Sequence, residues 1–184
     1  MCYSYWMVKV CVTGHRPQKL GGFDVTNPTR VWVRNALSEV LDAVKPNYAY
    51  SGMALGVDQD FAELCIQKGI PFDAVIPFPE QPSNWNNESQ TIYYDLLREA
   101  RKQTVVCSPG YAAWKMQRRN EAMVDSIGDD GLVIAVWDGS AGGTANCFRY
   151  AAGAGKTIIR IDPKKEEIMG LQEAMNYLSR LRRQ

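Results

Sequence analysis

The chain has 184 residues, 46% apolar and 22% charged, close to globular averages, which excludes disorder, collagen-like repeats and a coiled coil and leaves room for one domain with a sizeable core. Lys and Arg number 21 against 20 for Asp and Glu, a formal charge of +1, so no global field draws in an anionic surface. Nucleic acid is therefore not expected as a partner, and any phosphate recognition has to be local.

Short β-branched runs alternate with longer helical periods, the signature of β-α units feeding a parallel sheet. The first run, Val8 to Thr13, leads through a loop to Asn27-Pro28, an N-cap followed by proline at the first helical position; Val33, Leu37, Val40 and Val44 then share one helix face. The second, Tyr48 to Ser51, breaks at the stretch from Gly52 to Gly56 and gives way to a helix from about Val57 to Lys68, with Phe61, Leu64 and Cys65 facing in and Gly69 at its end. Phe72 to Ile76 and Thr104 to Cys107 are the third and fourth runs, each short enough for a buried strand. Between them Pro77 to Trp85, and then Tyr93-Tyr94, read as a long polar and aromatic loop, the kind that serves as a lid over Glu80 to Glu88.

A helix over Tyr111 to Met123 should follow. The fifth run, Leu132 to Trp137, is enclosed by Asp129-Asp130-Gly131 and Asp138-Gly139, turn chemistry on both sides. Gly153 to Thr157 carries part of a Walker-type pattern but has Tyr150 where its first glycine belongs, and reads as a helix stop before the sixth run, Thr157 to Ile161. Ile168, Leu171, Met175 and Leu178 mark a closing amphipathic helix, with Arg180, Arg182 and Arg183 in its last turn. About six strands in this order predict an α/β fold: a single doubly wound, Rossmann-like domain over residues 1–184, mainly parallel, with helices on both faces and ligands beyond the carboxyl ends of the strands.

The five cysteines, Cys2, Cys11, Cys65, Cys107 and Cys147, stand at wide spacings with no C-x-x-C pair and a single histidine in the chain, so neither a disulfide framework nor a metal site is expected, and no cofactor. Met1 to Met7 lacks a basic residue, Lys9 interrupts the apolar run behind it, and no stretch approaches the ~18 uncharged apolar residues that span a bilayer. The expectation is a cytoplasmic chain without a membrane partner, either monomeric or a homo-oligomer.

Three strand-to-helix loops carry candidate chemistry. Ser51 to Asp58, with Gly52 and Gly56, and Asp138 to Thr144, with Gly142 and Gly143, are glycine-bearing turns where backbone amides can converge on an anion at a helix N-terminus; equally, glycine there simply permits a tight turn. Gly14, His15 and Arg16 close the first strand, where His15 and Arg16 either offer paired donors to a phosphate or His15 bonds a backbone carbonyl. Trp85 either stacks on a base or packs its loop onto the body. Arg118, Arg119 and Glu121 lie on the helix after the fourth strand, where a solvated face is the alternative.

Gly14-His15-Arg16-Pro17, the stretch from Ser51 to Asp58, Arg119-Asn120 with Met123, and Gly142-Gly143-Thr144 together resemble the SLOG superfamily, in its YpsA-like branch, from about Val8 to Asp162. The resemblance implies a nucleotide or nucleotide-derived small molecule as ligand, held by the two glycine loops. Its related branches include LOG-type phosphoribohydrolases, which cut the base from a nucleoside monophosphate, DNA-processing DprA proteins, and sensors of NAD-derived signals in phage defence. Met116, Arg119 and Met123 fit the LOG pattern M-x-x-R-x-x-x-M, which makes Arg119 the ligand-contacting arginine. The partner pattern P-G-G-x-G-T-x-x-E fits less well: Asp138-Gly139-Ser140 replaces its opening and Cys147 stands at its glutamate. Two functions follow from the resemblance. One is a binding or sensor module with Arg16 and Arg119 on phosphate; the other is a nucleotide N-glycosidase with Asp58 or Glu121 as acid or base and Arg119 on phosphate or ribose.

Overall fold

The computed structural model describes residues 7–183; the opening segment with Cys2, and Gln184, lie outside the described residues. Its strands are β1 (Lys9–Gly14), β2 (Tyr48–Ser51), β3 (Phe72–Ile76), β4 (Lys102–Val105), β5 (Leu132–Val136), β6 (Thr157–Asp162) and β7 (Glu167–Met169). Its helices are α1 (Pro28–Val44), α2 (Val57–Gln67), α3 (Asn87–Glu99), α4 (Ala113–Ser126), α5 (Gly143–Gly153) and α6 (Leu171–Leu181). The strands form one sheet in the order β4-β3-β2-β1-β5-β6-β7, parallel except for the antiparallel pair of β6 and β7. This is the expected Rossmann-like α/β architecture, with one strand more than the sequence announced.

Alternation along the central strands sends side chains into two apolar layers. Val10, Val12, Leu132 and Ile134 join a cluster with Val33 and Leu37 of α1, Phe61 and Cys65 of α2, Tyr93 of α3 and Leu178 of α6. Cys11 and Val133 point the other way, against Met123 and Val124 of α4 and Cys147 and Ala151 of α5. The first three crossovers step outward from β1 to β4, and α4 then carries the chain back to β5 on the opposite side of β1. Strand order therefore reverses between β1 and β5, and a crevice opens there at their carboxyl ends.

Three sequence expectations need correction. The long loop between β3 and β4 is mostly helix: Asn86 accepts the Ser89 amide at 2.8 Å as an N-cap, and Tyr93 and Leu96 are the buried face of α3. Its outer face is so polar that only the cap and this short apolar spacing betray it. Glu80 to Trp85 is a run of turns, with Ser83 N on Glu80 O at 3.0 Å and Trp85 N on Pro82 O at 2.9 Å. β4 begins two residues earlier than read and is exposed along its whole length, because as an edge strand it has β3 on one side only. Ile168 belongs to β7, not to the closing helix, which starts only after Gly170 (φ +80°); Arg182 is its C-cap and Arg183 lies beyond it.

Candidate functional site

A cleft of about 510 Å³ occupies the crevice where the strand order reverses. Gly14, His15 and Arg16 enter it from the end of β1, Asp58 from α2, Arg119 and Asn120 from α4, and Gly142, Gly143 and Thr144 from the start of α5. The distant sequence segments singled out above thus meet at one place. Ser51, Gly52, Gly56, Glu121 and Trp85 do not line it.

The two glycine loops turn out to differ. Gly142 is the N-cap of α5 at φ 144°, with no side-chain cap; a methyl there would meet nothing within 4 Å, so the start of the helix, the positive end of its dipole, has open space beside it. Gly56, at φ +94°, is a structural joint: a methyl would sit 2.7 Å from the His15 carbonyl oxygen, to which Val57 N donates at 3.3 Å. Gly14 is equally tight, its would-be methyl lying 2.5 Å from Val57 Cγ1. Ser51 Oγ donates to Asp58 O at 2.7 Å and accepts the Met53 amide at 3.2 Å, so it shapes the loop from within.

Arg119 and Asp58 form a buried ion pair, Nη1 to Oδ2 at 3.3 Å, both about 95% shielded. Arg119 Nη1 also donates to the Gly52 carbonyl, and its Nε donates to Asn120 Oδ1 at 2.9 Å. Asp58 Oδ2 in turn accepts the Ala54 amide at 3.2 Å. Burial raises the Asp58 pKa above its ordinary value, against the pull of Arg119, Arg16 and that amide; burial likewise lowers that of Arg119, against Asp58. Gln81, unremarked in the sequence, reaches the same carbonyl, donating Nε2 to Gly52 O at 3.3 Å.

Across the cleft His15 faces Asp138, with Nε2 to Oδ1 at 2.8 Å, and Asp138 also accepts the Ser140 amide at 3.0 Å and its hydroxyl at 2.5 Å. Burial lowers the His15 pKa, against the pull of the carboxylate, and Nε2 lies between two groups of the same residue, 2.8 Å from Asp138 Oδ1 and 3.1 Å from the Asp138 amide nitrogen. The Asp138 carboxyl, although desolvation pushes it upward, is held well below the usual range by Ser140 and His15. Lys19 Nζ donates to Ser140 Oγ at 2.5 Å and ties the single 3-10 turn at Pro17–Lys19 to the glycine loop of α5. Arg16 differs from all of these. It is close enough to Asp58 to lower that carboxyl's pKa, yet among the described residues its guanidinium makes no ion pair or hydrogen bond.

Glu121 lies outside the cleft, held by Arg118 Nη1 at 2.7 Å and Gln117 Nε2 at 3.2 Å on the surface of α4. Cys147, at the position of the LOG glutamate, is buried, and desolvation pushes its thiol up to about 11. Trp85 packs edge-to-face on Tyr93 with centroids 5.4 Å apart. Sequence reasoning missed Lys19, Gln81 and Tyr111; the first two are single polar residues in irregular segments, with no periodicity to mark them. Among the described residues no group of three or more His, Cys, Asp or Glu could hold a metal ion.

The model of the YspA SLOG family matches residues 10–156. The chain belongs to that family. A prophage-derived SPbeta protein of Bacillus subtilis, YoqJ, uncharacterized, is 34% identical over 146 residues, covering 68% of this SLOG chain and 83% of its own. Among solved structures, DNA processing protein A from Helicobacter pylori, described with single-stranded DNA, matches at TM-score 0.62 and 15% identity, over 94% of this chain and 80% of that one. DprA from Streptococcus pneumoniae matches at TM-score 0.57 and 18% identity over 95% of this chain, which spans 56% of the DprA chain. These likenesses are of fold. They nevertheless overturn the expectation that near-zero charge sets nucleic acid aside, because this architecture is used by a protein that binds single-stranded DNA. No described helix is long and apolar enough to cross a membrane.

Proposed function

We propose that the cleft between β1 and β5 binds the phosphate of a nucleotide or of a nucleotide-derived molecule, the strand of a nucleic acid included. Arg16 carries this reading: a guanidinium with no protein partner among the described residues, at the mouth of a cleft whose far side is the uncapped start of α5. A phosphate there receives charge-assisted bonds from Arg16 and backbone amides from Gly143 and Thr144. Gly56 and Ser51 support the loop behind it. The similarity to DprA makes a single DNA strand a ligand to be tested alongside free nucleotides.

Asp58 favours a second reading, cleavage of an N-glycosidic bond. Its carboxyl lines the same cleft and its pKa is raised by burial, both suited to an acid, or to a carboxylate facing a developing oxocarbenium ion. Against it, Asp58 is already engaged by Arg119, and a neutral thiol stands at the family's glutamate position.

The deciding experiment is calorimetric titration of the parent chain and Arg16→Ala with nucleoside monophosphates, dinucleotides and short single-stranded DNA. Arg16→Ala should lower affinity ten- to a hundredfold without moving the melting temperature of the free chain. No binding of any of these by the parent chain, or equal binding by the variant, would overturn the reading.

A further inference from the structure

A second chamber, of about 620 Å³, opens on the other side of Arg16 and shares Arg16, Tyr111 and Met116 with the first. Its chemistry is different. The first cleft presents Arg16, Lys19 and helix amides; the second is walled by the rings of Phe78, Trp85 and Tyr111, with Glu80 at its rim accepting the Gly110 amide at 3.1 Å. Three aromatic rings suit a flat group, and the wall carries both the Glu80 carboxylate and the shared Arg16 guanidinium.

Two features lack a structural explanation. Tyr111 is 74% exposed, although its ring is set edge-to-face on Phe78 at 6.0 Å. Gln81 is 93% buried, and its Oε1 is shielded from water with no donor among the described residues. Turning the amide over would trade one unmet group for another, because Nε2 donates to the Gly52 carbonyl at 3.3 Å and a flip would set two acceptors face to face. A buried amide oxygen held without a partner calls for a donor from outside the protein.

We propose that the second chamber is a nucleobase subsite, in which Tyr111 is the stacking platform and Gln81 Oε1 accepts a hydrogen from an exocyclic amine. Arg16, at the junction, faces the phosphate that joins this base to the first cleft. The inference rests on the phosphate reading above. It moves base stacking from Trp85, half-buried against Tyr93, to the exposed ring of Tyr111. The shared chemistry is an amino-bearing base joined to phosphate, whether free or within a strand.

The test compares calorimetric affinities for ribose 5-phosphate, AMP, IMP and a short deoxyadenosine strand. AMP should bind about tenfold or more tightly than ribose 5-phosphate, the increment of one stacked base. Tyr111→Ala should bring AMP down to the affinity of ribose 5-phosphate for the same variant, and Gln81→Leu should erase the preference for AMP over IMP. Equal binding of AMP and ribose 5-phosphate, or an increment that survives Tyr111→Ala, overturns the subsite and leaves the phosphate site standing. Failure of all four probes to bind overturns both. Tighter binding of the strand than of AMP identifies a nucleic acid as the source of the base, and the reverse identifies a free nucleotide; either supports the subsite.

Discussion

Arg119 reaches the carbonyl oxygen of Gly52 because residue 52 has no side chain: a methyl group there would overlap the guanidinium. The backbone at Gly52 is not in the left-handed region, so any residue can adopt its conformation; the collision is what selects glycine. Gly52→Ala should therefore cost about 2 kcal/mol by overpacking and displace both Arg119 and Gln81. Denaturant unfolding and nucleotide titration measure the two effects, and unchanged values for both would contradict this geometry.

Gly142 and Gly56 should part company. Gly142→Val meets open space and carries only the strain of its φ, about 1–2 kcal/mol, so the variant folds and loses ligand-dependent thermal stabilisation. Gly56→Val runs into the His15 carbonyl as well and should lose cooperative melting. A Gly142→Val chain that keeps the full ligand-induced shift would remove the α5 amides from the site.

Such a division was invisible in the sequence, where both stretches read as glycine turns after a strand. What was legible were the features set by local periodicity: the apolar runs of β1 and β5, the Asn27-Pro28 start of α1, and the loops that meet at the reversal point. Illegible were effects of distance, such as the Arg119 and Asp58 pair formed across the sheet, and the Glu121 carboxylate turned to Arg118 instead of the cleft. The α3 helix was lost because few of its residues are buried, and β4 was misjudged because short apolar runs look alike at an edge and in a centre.

Asp58 and Glu121 distinguish binding from hydrolysis. Glu121→Gln should change neither affinity nor any turnover, its partners being on α4 itself. Asp58→Asn weakens a charged hydrogen bond to Arg119 and should cost about 1.5–3 kcal/mol of stability. The parent chain is expected to release no free base from nucleoside monophosphates. Base release that Asp58→Asn lowers by ~100-fold while binding persists would instead establish the hydrolase.

His15 gives the chain an acid sensitivity. Its pKa is depressed by burial below the ordinary 6.5, so the unfolded chain takes up a proton first, and stability falls as pH drops through 6.5 toward the folded value. Asp138, depressed below its ordinary 3.8, contributes stability above that value and loses it only in stronger acid. As the pH falls below 6.5, His15→Gln should therefore flatten the decline in melting temperature expected of the parent chain. Parallel curves for the two proteins would assign the acid response elsewhere.

Beside the second chamber, the buried ammonium of Lys115 donates to the carbonyls of Ser108, Pro109 and Gly110 at 2.9, 3.0 and 2.7 Å. All three acceptors are main-chain oxygens, so the clasp reads the path of the chain and ignores its side chains. The segment 108–110 is thus held through its backbone by a lysine in the first turn of α4. Tyr111, the residue next in line, follows directly on this clasp, which sets the point from which its ring meets Phe78 edge-to-face.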